Sequence, residues 1–100
     1  MNGTGISKQV INEIILLAQK YNIEKVVLFG SRARGDYHRA SDIDLAVYGG
    51  DVVNFSLDVE EQTSTLLMYD VIDMGKTYKA AFVESIEKEG KILYEKIWKL

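Results

Sequence analysis

The segment of residues 42–48 constrains the fold of this chain more than any other. Its residues alternate between two faces with a period of two, which is typical of a strand in a sheet that is covered on one side. Three apolar residues share one face: Ile43, Leu45 and Val47. Asp42 and Asp44 share the opposite face together with a small alanine. The segment therefore predicts a strand that displays two carboxylates away from an apolar layer.

The other elements are predicted from the spacing of apolar residues and from glycines that end regular structure. Helical spacing is periodic at three and four residues, whereas a short continuous apolar run with β-branched residues is typical of a buried strand. The predicted elements are a helix from Ser7 to about Tyr21 capped by Ser7 or Thr4, a strand Lys25–Phe29, a short helix from Arg32 to about Tyr37, a helix over about Leu57–Leu67 capped by Asn54 or Ser56, a strand Met68–Met74, and a helix from Tyr78 to about Lys88.

This alternation of helices and strands predicts an α/β fold of the α+β type, with a small mixed β-sheet and helices packed on one face. At 100 residues the chain is expected to form a single domain over residues 1–100. Residues 92–94 fit either a short strand or the start of a last helix through Trp98, and the sequence leaves both readings open.

Composition narrows the classes of function. The net charge is −3 and no run of Lys or Arg occurs, so direct nucleic-acid binding over a basic face is not expected. Cysteine is absent, which excludes disulfides and cysteine-ligated zinc. Neither a secretory signal nor an apolar stretch of about 20 residues is present, so a soluble, cytoplasmic protein without membrane contact is expected.

Asp42 and Asp44 are the first candidates for chemistry. At positions i and i+2 of a strand their Cα atoms lie roughly 6.5–7 Å apart on the same face. Like charges this close raise each other's pKa, and a divalent cation such as Mg²⁺ removes that repulsion because it takes hard oxygen ligands. For an isolated Asp-x-Asp pair, an acidic solvent-facing strand is the commoner explanation. Aspartate is disfavoured within apolar strands, however, which favours a functional site here.

The turn at Gly30-Ser31 is the second candidate. It joins the predicted buried strand to a short helix, and glycine allows the backbone to approach a ligand closely. Backbone N–H groups and a hydroxyl at such a turn suit phosphate oxygens. For the turn alone, an ordinary strand–helix connection is the commoner explanation. Combined with Asp42 and Asp44, the turn would hold phosphate while the carboxylates bring metal to it.

The segments Gly30-Ser31-Arg32-Ala33-Arg34-Gly35 and Ser41-Asp42-Ile43-Asp44-Leu45-Ala46-Val47 resemble the signature of the DNA polymerase β-like nucleotidyltransferase superfamily, in its minimal, single-domain, antitoxin-like form. The resemblance implies a third carboxylate on a neighbouring strand. Asp70 is preferred to Asp73 because it stands at the family's position before an apolar pair. The two candidates, three residues apart, face opposite sides of a strand.

The resemblance also implies a mechanism and its residues. Asp42, Asp44 and Asp70 would hold two Mg²⁺ ions, and nucleoside monophosphate, by default AMP from ATP, would pass to a hydroxyl. Asp70 is also a candidate general base. Four residues are predicted to bind the nucleotide: Gly30, Ser31, Arg32 and Arg34. Arg39 is a further cation near the turn.

The acceptor implied by the resemblance is a partner protein, namely a small helical HEPN-type toxin that an antitoxin of this kind would AMPylate. The alternative is a non-catalytic module that binds nucleotide or neutralises a partner by contact alone. A small-molecule nucleotidyltransferase ranks last, since the usual helical second domain is missing from these 100 residues. The sequence leaves the nucleobase and the oligomeric state open.

Overall fold

The computed structural model describes residues 3–97, in which four helices alternate with four strands. The elements in chain order are α1 (Lys8–Lys20), β1 (Lys25–Phe29), α2 (Gly30–Arg34), β2 (Ile43–Tyr48), α3 (Val52–Gln62), β3 (Tyr69–Asp73), α4 (Ala80–Glu89) and β4 (Lys91–Glu95). None of the helices in this part of the chain combines the length and the apolar character that crossing a membrane requires.

The strands form one mixed sheet in the order β3-β2-β1-β4. β1 lies antiparallel to both β2 and β4, whereas β2 and β3 are parallel. Parallel neighbours need a crossover connection, which α3 supplies. The predicted small mixed sheet is confirmed.

Helices α1 and α3 cover one face of this sheet. Ser7 caps α1, since its side chain accepts a hydrogen bond from the Val10 amide at 3.2 Å. The apolar stripe of α1 and the inward residue Phe55 of α3 join the core that contains Ile43, Leu45 and Val47. Burying each large side chain of this kind contributes roughly 1.5–3 kcal/mol. The predicted apolar face of β2 is therefore the face that α1 and α3 cover.

Helix α4 lies against the opposite face, where the sequence predicts no helix. Its buried residue Ile86 packs on Val27 of β1 and Ala46 of β2. Those two residues form an apolar patch on the carboxylate side of the sheet, and that patch needs cover. The expectation that all helices pack on one face is therefore wrong for α4, and the Asp44 side of the sheet is only partly open.

Helix α3 begins and ends earlier than the predicted Leu57–Leu67. Its N-cap is Asp51 rather than Asn54 or Ser56, and the Asp51 carboxylate accepts a hydrogen bond from the Asn54 amide at 3.2 Å. Aspartate, asparagine and serine are comparable N-caps, so the sequence alone does not choose among these positions.

Helix α2 is also shifted, to Gly30–Arg34 from the predicted Arg32 to Tyr37. It starts directly at the end of β1 and stops because Gly35 takes the left-handed conformation, with φ of 94°. The chain leaves the helix at that glycine and reaches β2 through a loop.

The open choice at residues 92–94 is resolved in favour of a strand. Lys91–Glu95 pairs with the edge of β1 that β2 leaves free, which completes the hydrogen bonds of this central strand. The alternative was a last helix through Trp98, and Trp98 itself lies outside the described residues.

Candidate active site

Asp44 and Asp70 are brought together by strand register. They are Cα partners in the parallel pair of β2 and β3, while Phe29 is the partner of Asp44 across the antiparallel pair with β1. Residues directly opposite one another in adjacent strands point to the same face. Asp70, Asp44 and Phe29 therefore form one row across the sheet.

The pKa of the Asp44 carboxyl group is perturbed by its surroundings. Burial raises the pKa of Asp44, and the negative charges of Asp70 and Asp42 raise it further, while the guanidinium of Arg34 acts in the opposite direction. Asp42 stands just before β2 and is exposed, and Asp70 is also exposed. Asp44 is thus a half-buried carboxyl group with two acidic neighbours, and this arrangement attracts cations.

Asp73 lies away from this row. It pairs with Val47, whose side chain belongs to the core under α1 and α3. Its carboxylate accepts a hydrogen bond from the Gly75 amide at 2.8 Å, and its carbonyl accepts one from the Tyr78 hydroxyl at 2.9 Å. Of the two candidates for a third carboxylate, the register places Asp70 beside Asp44 and gives Asp73 a local role at the end of β3.

Gly30 brings the backbone against Asp44. Its φ is 74°, and a Cβ atom at this position would overlap the Oδ2 atom of Asp44. Both observations require glycine, since other residues are strained at positive φ and would displace the carboxylate. The predicted turn therefore adjoins Asp44 at Gly30, although the two residues lie on different elements.

The two arginines of α2 have different surroundings. Arg34 is exposed and forms weak ion pairs with Asp36 at 3.4 Å and with Glu89 of α4 at 3.9 Å. Its positive charge acts to lower the pKa of Asp44, so Arg34 remains the candidate cation of this motif for a phosphate next to that carboxyl group.

Arg32, in contrast, points into the protein and is 1% exposed. All three of its guanidinium nitrogens donate to backbone carbonyls. The expectation that Arg32 binds nucleotide conflicts with this placement, because its donors are already used inside the fold. The sequence offers no signal for this difference, since both arginines stand in the same short motif.

An aromatic group beside the carboxylates was not predicted. The Phe29 ring packs edge-on against Phe82 of α4 with centroids 6.0 Å apart, and Tyr78 lies 5.4 Å from Phe82. Phe29 follows Val27 by two positions and so shares its face, which is the one signal that the sequence contains. These three rings form an apolar surface on the same face of the sheet as Asp44.

The carboxylate oxygens of Asp44 and Asp70 are suited to a magnesium ion that is bound together with a ligand. Carboxylate oxygens are hard donors, and Mg²⁺ commonly uses one or two carboxylates together with phosphates and water. Across residues 3–97, no three His, Cys, Asp or Glu side chains are grouped closely enough to hold a metal by themselves. Phosphate oxygens would therefore need to complete the coordination.

Comparison with known proteins assigns the family. Residues 12–97 match the family described as Polymerase beta, Nucleotidyltransferase. A relative in Methanocaldococcus jannaschii, named "Putative protein adenylyltransferase MJ0604", is 34% identical over 105 residues, which cover 94% of this chain and 100% of the relative. A second protein of that organism, "Putative protein adenylyltransferase MJ0141", is 31% identical over 78 residues, covering 71% of this chain and 79% of the relative.

Solved structures agree at the level of the fold. A toxin–antitoxin crystal structure with AMP-PNP superposes with a TM-score of 0.69 and 24% identity, covering 86% of this chain and 73% of the other. A mutant of the toxin–antitoxin MntA-HpeT gives a TM-score of 0.68 at 22% identity, with the same coverage. With its sequence signature, its mixed sheet and its match over residues 12–97, this chain belongs to the polymerase β-type nucleotidyltransferase family.

Proposed function

We propose that this protein transfers a nucleoside monophosphate, AMP from ATP, to a hydroxyl group on a partner protein. The observation that carries the proposal is the register of Asp44 with Asp70 beside the Gly30 backbone. It brings Asp44, Asp70 and the Gly30 turn together, which supports a site of the kind that the family signature implies. The choice of AMP and of a protein acceptor is supported by the two relatives that bear the name of protein adenylyltransferases.

The proposed reaction is an in-line substitution at the α-phosphorus. A bond forms between the acceptor oxygen and the α-phosphorus, and the bond from that phosphorus to the β-phosphate bridging oxygen breaks. The acceptor proton passes to the Asp70 carboxylate, which is exposed and so can release it to solvent. Pyrophosphate leaves with the electron pair of the broken bond.

Asp42, Asp44 and Asp70 would hold Mg²⁺, which when bound supplies charge neutralisation for the phosphates and for the leaving pyrophosphate. The Gly30 backbone and Ser31 would hold the β- and γ-phosphates, and Arg34 would be the cation beside them. Arg34 can take this position because its ion pairs with Asp36 and Glu89 are exposed and weak.

A toxin of the HEPN type is the proposed partner, and the protein would then act as its antitoxin. The fold neighbours are toxin–antitoxin structures, one of them with AMP-PNP. This chain also exposes apolar side chains suited to a protein surface: Val53 and Leu57 one turn apart on α3, and Leu66 and Met68 just before β3.

The test is transfer of label from α-labelled ATP to a co-expressed HEPN protein, with the modified residue located by mass spectrometry. Asp42→Asn and Asp44→Asn should each lower turnover by more than ~10²-fold, because a group aimed at the reacting charge is lost. Circular dichroism should show that both variants keep the fold. Asp73→Asn is the matched control and should stay within a few-fold of the unsubstituted protein.

The alternative of a non-catalytic module gives a different result. Mg²⁺-independent ATP binding, no label on the partner, and toxin neutralisation that Asp44→Asn leaves intact would together overturn the proposed transfer.

A further inference from the structure

Arg32 is buried next to the Gly30-Ser31 turn, and its guanidinium donates only to backbone carbonyls. Its Nη1 donates to the Thr4 carbonyl at 2.8 Å and its Nε to the Ser41 carbonyl at 3.0 Å. Its Nη2 donates to the carbonyls of Arg39 at 3.1 Å and His38 at 3.5 Å. One side chain of α2 thus holds the segment before α1 and the loop that leads into β2.

The charge of Arg32 has no acidic partner among residues 3–97, where the ion pairs involve other side chains. The Tyr37 ring covers it at 4.8 Å from the centroid. Burying an unpaired cation is costly, and here backbone carbonyls satisfy it instead of a carboxylate. A neutral apolar side chain would avoid that cost, so the contacts themselves are what arginine provides at this position.

The loop that Arg32 holds is also closed on itself. The His38 amide donates to the Ser41 hydroxyl at 2.8 Å, and the Ser41 amide donates to the His38 carbonyl at 3.1 Å. Residues 38–41 therefore form a small closed unit, and Asp42 is the next residue in the chain. Because Asp42 precedes the first residue of β2, the sheet alone does not fix it.

We propose that Arg32 is a positioning residue that fixes the loop of residues 38–41, and through it the carboxylate of Asp42, against the Gly30-Ser31 turn. This inference rests on the proposed role of Asp42 as a metal-binding carboxylate. Arg32 keeps Asp42 and the turn as one unit before nucleotide binds, which lowers the cost of assembling the site. Arginine suits the task because its planar fork presents five donors that diverge to separate carbonyls.

The test compares Arg32→Gln and Arg32→Lys with Lys8→Gln, which removes the same charge from an exposed side chain in the first turn of α1. Hydrogen exchange is measured at the amides of His38 and Ser41, together with the Mg²⁺ concentration that gives half-maximal transfer. Arg32→Gln should speed exchange at both amides by about tenfold or more. It should also raise the Mg²⁺ requirement and lower kcat by roughly 10²-fold, as a misplaced group does. Arg32→Lys should rescue part of each effect, and Lys8→Gln should change none.

Ser41→Ala provides a second variant that leaves the buried charge in place. It removes the hydroxyl that receives the His38 amide, so it should speed exchange in the same loop and raise the Mg²⁺ requirement in the same direction. If Arg32→Gln does not fold, the inference is tested with Ser41→Ala and Arg32→Lys instead.

Two results would overturn the inference. If Arg32→Gln leaves hydrogen exchange at His38 and Ser41 unchanged but raises the KM for ATP, Arg32 binds phosphate directly. If exchange becomes faster but the Mg²⁺ requirement does not change, the loop of residues 38–41 does not position Asp42. If the unsubstituted protein transfers no nucleotide, the proposed function is wrong. The role of Arg32 is then still tested by hydrogen exchange and by Mg²⁺-dependent ATP binding, neither of which requires transfer.

Discussion

Asp44 of β2 and Asp70 of β3 occupy the same level of two parallel strands and point to the same side of the sheet. Adjacent strands are about 4.8 Å apart, so the two carboxyl groups lie close enough for each charge to act on the other. The raised pKa of Asp44, caused first by burial and then by Asp70 and Asp42, reflects this proximity. Residues that are far apart in sequence thus form one acidic site.

Asp70→Asn should lower the turnover of nucleotidyl transfer by more than ~10²-fold, because it removes the carboxylate proposed to receive the acceptor proton. Initial rates of pyrophosphate release give the measurement. Asp73→Asn is the control, since Asp73 lies on the opposite side of the same strand and bonds the Gly75 amide. Equal losses from both substitutions would contradict the choice of Asp70.

Turnover should fall as the pH is lowered through the pKa of Asp44, because only the charged carboxylate can hold Mg²⁺. Since that pKa is raised by burial and by Asp70, the acidic limb should lie at higher pH than an ordinary aspartate would give. The pH profile of kcat/KM tests this at Mg²⁺ concentrations well below saturation, where the metal-free carboxyl group of Asp44 titrates. A profile with no loss above the ordinary aspartate range would argue against Asp44.

Stability without Mg²⁺ should show the opposite trend. The folded protein binds the Asp44 proton more tightly than the unfolded chain does, so this stabilisation is fully present below the unfolded pKa and is lost as pH rises through the folded pKa. Asp44→Asn should therefore be at least as stable as the unsubstituted protein at neutral pH and lose that advantage in acid. Urea unfolding at both pH values tests this, and a variant that is less stable at neutral pH would refute it.

Gly30→Ala should strongly lower the transfer activity, because it displaces the Asp44 carboxylate. The substitution strains a position at φ 74° and forces the Asp44 carboxylate to move, and such a displacement costs roughly 10²-fold in rate. Gly35→Ala is matched to it, since Gly35 has φ of 94° but a Cβ there meets nothing within 4 Å. Both variants should lose about 1–2 kcal/mol of stability from the strain. Only Gly30→Ala should lose transfer activity. Comparable activity in Gly30→Ala and Gly35→Ala would show that the contact between Gly30 and Asp44 is not important for transfer.

Arg34→Gln should raise the KM for ATP by about tenfold while changing stability by less than about 1 kcal/mol. Its side chain is 45% exposed and its ion pairs with Asp36 and Glu89 are long, so they contribute little to the fold. Steady-state kinetics and thermal unfolding give the two numbers. Lys88→Gln, an exposed cation in the last turn of α4, is the control. An unaltered KM would remove Arg34 from the phosphate site.

Much of the architecture could be predicted from local patterns. The alternation at residues 42–48 and the apolar run Lys25–Phe29 each correspond to a strand, because burial on one or both faces leaves a direct mark on composition. The capping residue of α3 could not be predicted in this way. Asp51 starts α3 ahead of the residues chosen from the sequence, since several polar residues nearby could serve as caps and only packing selects one.

The two arginines of the short motif show where sequence reasoning stops. Arg32 and Arg34 are separated by one residue and looked equivalent as phosphate ligands. The fold turns Arg32 toward Thr4 and Ser41, on segments that precede and follow it in the chain, and leaves Arg34 at the surface. Such long-range partners leave no local trace in the sequence.

By itself, the sequence determined the family, the strand that carries Asp42 and Asp44, and the glycine turn before it, because these depend on neighbouring residues and on fixed spacing. Only the tertiary structure decided that Asp70 lies level with Asp44, that Gly30 touches that carboxylate, and that α4 covers the same face. The physical reason is that strand register and the choice of sheet face are settled by packing across the whole core, which no local pattern encodes.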